Sequence, residues 1–323
     1  MSNSNQLEMM ERIALDLEGV ERALASSFNT GSEDFNTLIR PLSEAGGKRL
    51  RAQLCLLIAN AGTSVEAERI KIAEAVEMLH LATLIHDDVL DQAEIRRGEE
   101  TIHKHKGNKV AILSGDYLFA KAFRIVSEMP HMEYLKIFSH IITCLVEGEF
   151  MQMEDVYRID QGIDRYMTKT QKKTADFMEG CMELGGLLGG WSSDEIMYLK
   201  RYGHALGMAF QISDDIMDYR ETSDTTGKPV GNDLREGLLT YPLLSIVNES
   251  NQNQLLQDIK NLNHGGNEQE IIDYVIAQGG IDNTLRVAQQ YCDDALSALQ
   301  SIRDFDGKDF LVLAVQNLAD RKV

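Results

Sequence analysis

The chain has 323 residues, 43% of them hydrophobic, and only four prolines, so it can bury a sizeable core and run long stretches without a helix breaker. Its formal charge of −19 disfavours nucleic acid and anionic lipid as partners and turns attention to where the 32 basic residues cluster. Four scattered cysteines without a CxxC pair or His-rich spacing, a polar acidic N-terminus and the lack of an ~18-residue apolar run argue against a disulfide framework, a zinc site, a signal peptide and a membrane span, and a reduced, cytoplasmic setting is expected.

In chain order, apolar periodicity predicts helices over 5–28 and 48–62, the second preceded by Ala45-Gly46-Gly47. Residues 66–91 contain no Gly or Pro. Ile72, Val76, Leu79, Thr83, Asp87 and Asp91 recur there at steps of three or four, which is one helix face. A loop at Arg97-Gly98-Glu99-Glu100 leads to helices at 108–128, 132–155 and 161–190. The next, over 192–220, opens on a Ser192-x-x-Glu195 capping pattern and lines up Ile196, Leu199, Gly203, Leu206, Phe210, Asp214 and Asp218. After a loop at 223–231, helices are expected at 238–249, 253–262, 268–278, 281–302 and 307–320. Runs of alternating β-branched residues are hard to find, and no linker divides the chain. One all-α domain over 1–323 is expected.

Two clusters stand out, Asp87-Asp88-x-x-Asp91 and Asp214-Asp215-x-x-Asp218. Acids four apart on a helix lie one turn above each other and repel unless a cation sits between them. Hard carboxylate oxygens with room for water and phosphate suit Mg²⁺. Acidic strings also occur on solvated faces, but each cluster here ends an apolar stripe, and carboxylates on a face that was being buried need a partner. Two such clusters can face one another across a cavity. Asp293-Asp294, followed by Ser297 rather than a third acid, reads as surface. The basic groups answer the acids: Lys48 and Arg51 share a face beside a glycine-preceded helix start, where free N–H groups favour anions, and Arg96-Arg97 follows the first cluster.

With these residues in hand, the sequence resembles the polyprenyl synthetase family, the trans-isoprenyl diphosphate synthases, in motif order from 46 to 242. The matching pieces are GGKRLR (46–51), HLATLIHDDVLD (80–91), RRG (96–98), GD (115–116), EGE (147–149), KKT (172–174), FQISDDIMD (210–218), GKPVGND (227–233) and EGLLTYP (236–242). The resemblance implies an isoprenoid synthase-type helical bundle around a central apolar cavity. It implies Asp87, Asp91 and Asp214 as direct magnesium ligands, with Asp88, Asp215 and Asp218 supporting, and three ions when substrate is bound. Arg96, Lys173 and Lys228 would hold the allylic diphosphate. Lys48, Arg51, His80 and Arg97 would hold isopentenyl diphosphate. Thr174 and Gln211 would line the allylic cation. One departure is Leu238, where many members carry lysine after Glu-Gly.

The implied activity is head-to-tail condensation of isopentenyl diphosphate with an allylic diphosphate, with no need of a Ser/His/Asp triad or a reactive cysteine. Metal and cations draw off diphosphate, the isopentenyl double bond attacks the cation, and the released diphosphate takes the lost proton. Val76, Leu79, Ala82 and Thr83 lie beneath the first aspartates, and at 82 and 83 short-chain members tend to place an aromatic floor. The small Ala82 and Thr83 predict an all-trans product of C30–C50 for a quinone side chain. The competing readings are a geranylgeranyl or farnesyl diphosphate synthase, a head-to-head synthase, a non-catalytic subunit, and a plain helical bundle with surface acids. A homodimer is the expected assembly, with a heterodimer containing a small regulatory subunit as the alternative.

Overall fold

The computed structural model describes residues 3–28, 35–39, 49–96, 98–220 and 231–319. Three expected site residues, Lys48, Arg97 and Lys228, lie outside them. The elements are α1 (Asn3–Ser27), a short helix over 35–39, α2 (Leu50–Asn60), α3 (Glu66–Leu90), β1 (Ile95–Arg96), β2 (Glu99–Glu100), α4 (Ile102–Lys106), α5 (Asn108–Ser127) and α6 (Met132–Glu154). They continue with α7 (Gly162–Thr170), a π turn (Gln171–Ala175), α8 (Asp176–Leu188), α9 (Ser193–Arg220), α10 (Asn232–Glu236), α11 (Tyr241–Leu244), α12 (Gln252–Asn261), a 3₁₀ turn (Leu262–His264), α13 (Glu268–Ala277), α14 (Gly280–Gln300) and α15 (Lys308–Ala319). The fold is all-α, as expected; among the described residues, strands are confined to one antiparallel pair of two residues each.

Several boundaries differ from the sequence expectation, each for a local reason. The helix expected over 238–249 shrinks to α11, because Pro242 sits in its first turn after the extended Thr240. The helix expected over 161–190 is interrupted by the π turn. The helix expected from 48 starts at Leu50, since Arg49 adopts a left-handed conformation with φ 45°. The capping pattern at Ser192 is real: its Oγ accepts from the Glu195 N–H at 3.3 Å while the Glu195 carboxylate takes the Ser192 N–H at 3.1 Å.

The chain divides into two compact units. The first comprises Met1–Ser139, Gly180–Met197 and Asp304–Gly307. Here α2, apolar almost all round, is buried from Leu54 to Asn60, and α1, α2 and α3 pack on one another with α5 along α3. Gly62 is needed where it stands, because a Cβ there would meet the Gly189 carbonyl oxygen at 1.9 Å. Arg69 is buried in a pair with Asp16 (2.8 Å), which also accepts from Asn60 at 2.7 Å. The second unit, His140–Glu179, Tyr198–Arg303 and Lys308–Val323, has its own core, in which Tyr166, Ile212, Ile216, Tyr219, Leu243 and Val275 are buried together.

Candidate active site

In the first unit, the basic motif resolves into two arginines with different duties. Arg49 turns inward: its Nε donates to Glu21 at 2.8 Å and its Nη1 to Glu77 at 3.2 Å. Glu77 is buried, and its other oxygen accepts the Ala52 N–H at 3.2 Å. The positive end of α2, expected to await a diphosphate, therefore already holds a carboxylate of the protein at one N–H. Arg51 remains the substrate candidate. Its guanidinium lies 3.5 Å from His80 Nε2, so two residues expected to hold one diphosphate do come together.

His80 belongs to α3, which runs down from the first aspartate cluster through fully buried Ala82, Leu79 and Val76. Thr83 is half-buried and donates its hydroxyl to the His80 carbonyl at 2.8 Å. Burial falls on a different acid from those the apolar stripe singles out. The deeply buried acid is Asp88, not Asp87 or Asp91, and its partner is a side chain of the protein: Arg96 Nε donates to it at 2.5 Å. Burial raises the Asp88 carboxyl above its ordinary value, although Arg96 pulls the other way. Asp87 is half-buried and Asp91, which ends α3, is exposed. Arg96 reaches Asp88 because the chain turns through Gln92 (φ 51°) into the β1–β2 hairpin, with Gly98 (φ 84°) in its turn. The Gly115-Asp116 motif also gains a reason. A Cβ at Gly115 would meet His86 Nε2 at 2.2 Å, and Asp116 lies 3.6 Å from the same nitrogen.

In the second unit, the lysines and threonine of the KKT motif sit on the π turn. A π turn holds one extra residue and so re-aims side chains relative to a regular helix. Glu147 and Glu149 of α6 grip the two lysines in register: Lys172 lies 2.6 Å from Glu147, Lys173 is 2.5 Å from Glu149, and Lys173 also donates to Gln152 at 2.9 Å. Gly148 between the glutamates allows the close approach, since a Cβ there would sit 2.7 Å from Lys173 Cγ. Gly207 of α9 does the same from the other side, where a Cβ would meet Ala175 Cα at 2.6 Å.

From the π turn a hydrogen-bonded chain runs into the second aspartate cluster. The Thr174 hydroxyl donates to Gln211 Oε1 (2.9 Å), Gln211 Nε2 donates to Asp215 Oδ1 (3.0 Å), and the Tyr166 hydroxyl donates to Asp215 Oδ2 (2.5 Å). As in the first cluster, the buried acid is the second aspartate, and protein donors answer it. Burial pushes the Asp215 carboxyl up to about 6 against these hydrogen bonds. Asp214 is exposed. Asp218 is half-buried, its oxygens accepting the backbone N–H groups of Asn232 (3.0 Å) and Asp233 (3.2 Å), so it fastens the GND motif to the end of α9. Asp293 and Asp294 are exposed, as expected. Leu238 donates its backbone N–H to the Asp233 carbonyl at 2.8 Å.

Sequence reasoning missed Tyr166 and Lys169. Lys169 is buried, and burial lowers its amine despite the charges of Asp155 and Asp215. Its position four before Lys173 was the available signal. Tyr166 gave none, because an aromatic on a helix is ordinarily core.

Comparison with known proteins defines the class. The model of the family described as polyprenyl synthetase matches residues 32–278, and the chain belongs to that family. The octaprenyl diphosphate synthase of Escherichia coli is 32% identical over 312 residues, covering 95% of this chain and 96% of that protein. Heptaprenyl diphosphate synthase component 2 of Geobacillus stearothermophilus is 32% identical over 89% of this chain and 90% of its own. Among solved structures, a polyprenyl synthase from Caulobacter crescentus complexed with calcium and isoprenyl diphosphate superposes with a TM-score of 0.88 at 30% identity, covering 100% of this chain and 98% of that one. Among the described residues, no helix is long and apolar enough to cross a membrane.

Proposed function

We propose that this chain is a magnesium-dependent trans-prenyltransferase that adds isopentenyl diphosphate head-to-tail to an allylic diphosphate, giving an all-trans polyprenyl diphosphate of C30–C50. The observation that supports it most is common to both aspartate clusters. In each, the buried second acid is bound to protein donors, Asp88 to Arg96 and Asp215 to Tyr166 and Gln211, while Asp91 and Asp214 stand exposed. All-carboxylate donor sets suit Mg²⁺, and Asp87, Asp91 and Asp214 would hold it directly, with Asp88, Asp215 and Asp218 in support. Bound magnesium, three ions with substrate present, supplies positive charge to a departing diphosphate.

The residues of the chain divide the remaining work. Arg96, Lys173 and Lys228 hold the allylic diphosphate; Lys48, Arg51, His80 and Arg97 hold isopentenyl diphosphate. Thr174 and Gln211 turn oxygen lone pairs toward the allylic cation, steadied by the chain of hydrogen bonds that ends on Asp215. The isopentenyl double bond attacks that cation, and the released diphosphate takes the proton lost from the neighbouring carbon as the new double bond forms. Ala82 and Thr83 leave the growing tail room to descend past Leu79 and Val76. The one-domain reading is supported by the places where the chain passes between its two units at 139/140, 179/180 and 197/198, which lie inside helices rather than in linkers. Four buried free cysteines support a reducing, cytoplasmic setting.

Incubating the purified chain with farnesyl diphosphate, isopentenyl diphosphate and Mg²⁺ and sizing products by mass spectrometry tests this reading. Products longer than twenty carbons are expected, and accumulation of only shorter ones would overturn the assignment of chain length. Similarity to a protein named component 2 favours a second reading, in which a small partner chain is required rather than a second copy of this one. Turnover only after a second polypeptide is added would establish it.

A further inference from the structure

Within the second unit, α8 and α9 bring together side chains that belong to neither aspartate motif. Asp176 and Glu179, three apart on α8, share a face, and α9 presents His204 to them; one donor atom from each lies within 4.8 Å of the others. Ligand bonds of ~2.0–2.2 Å place donors up to ~4.4 Å apart around a single ion, so a slight contraction closes the set. The ion pairs within it are loose. His204 Nδ1 stands 3.5 Å from Glu179, and Lys200 Nζ is also 3.5 Å from Glu179, beyond the range of a good hydrogen bond. Asp176 is buried, while the Glu179 and His204 side chains keep 27% and 30% exposure, so an ion can enter. On α6, the Cys144 sulfur lies 3.7 Å from His140 Nε2.

We propose that Asp176, Glu179 and His204 form a second metal site that takes a borderline divalent transition ion of the Zn²⁺ class rather than Mg²⁺. An imidazole between two carboxylates selects such ions, whereas magnesium prefers oxygen alone. The ion would displace Lys200 from Glu179 and draw Asp176 away from Gln171, whose amide donates to it at 3.2 Å. Because Asp176 caps the π turn that carries Lys173 and Thr174, a loaded site would exchange its tie to Gln171 for a tie to the ion at that end of the turn.

Titration of the chelator-stripped full chain with Zn²⁺, in excess Mg²⁺, tests the site by competition with a chromophoric chelator. A single equivalent of Zn²⁺ should bind, about tenfold or more weaker in His204→Ala and in the conservative Glu179→Gln, with helical content confirmed by circular dichroism. Asp87→Asn and Asp214→Asn should leave Zn²⁺ uptake unchanged, and Co²⁺ substitution should give visible bands that His204→Ala loses. The proposal is overturned if no Zn²⁺ is taken up, if both site variants bind like the parent, or if the aspartate-motif variants abolish uptake. None of these outcomes decides whether the chain condenses prenyl diphosphates, which the product assay tests separately.

Discussion

Asp215 holds a carboxyl in nearly complete burial, and its titration should be readable in folding stability. Its folded value of about 6 stands above the ordinary 3.8, so between these pH values the folded chain keeps a proton that the unfolded chain has released. The stability this group contributes is therefore present at the acid end and lost as pH rises through about 6. In metal-free protein, urea unfolding from pH ~4 to ~7 should show this decline in the parent and a flatter profile in Asp215→Asn. Parallel profiles would refute the assignment. Arg49 yields a second expectation. Replacing it with alanine strands the buried Glu77 charge and should cost roughly 3–5 kcal/mol in chemical denaturation. Which of the neighbouring basic residues is structural was not legible from their types. Spacing set Lys48 and Arg51 on one face apart from Arg49, but the commitment of Arg49 to Glu21 and Glu77 follows from its left-handed turn. The aspartates were legible as a pattern of four-residue spacing, but which acid is buried depends on helix rotation against partners that a one-dimensional stripe does not contain.

At the scale of elements, the π turn organises the second unit. It presents Lys173 and Thr174, and two glycines on neighbouring helices press against it. Gly207→Ala would drive a methyl into the Ala175 backbone, where no flexible side chain can yield. The expected result is a loss of roughly 1–3 kcal/mol by thermal or urea unfolding, together with reduced turnover as Thr174 shifts from Gln211. A fully active, equally stable variant would show that the close approach is dispensable. Long helices such as α3, α5, α9 and α14 were legible because their apolar spacing persists over several turns. The π turn was not: Gln-Lys-Lys-Thr-Ala is ordinary helical sequence, and the insertion follows from packing against α6 and α9. Pro242 did mark the true start of α11, a signal that apolar spacing alone had overridden.

For the molecule as a whole, the proposed function makes product length depend on the depth available beneath the first aspartates. Ala82 is fully buried and Thr83 half-buried, so a bulky replacement at the latter should act as a floor. Thr83→Phe is expected to shift the mass spectrum of products toward shorter chains while leaving consumption of the first isopentenyl unit largely intact; an unchanged product distribution would place the length control elsewhere. Three cations of these motifs are each paired with a carboxylate of the protein. Lys173 lies against Glu149, Lys172 against Glu147 and Arg96 against Asp88. An incoming anion thus competes with resident carboxylates for the same N–H groups. On the proposed function, a singly charged phosphate would have little advantage over them, whereas a pyrophosphate tail bearing metal would offer several oxygens at once, so these pairs would filter out the common small anions of the cell.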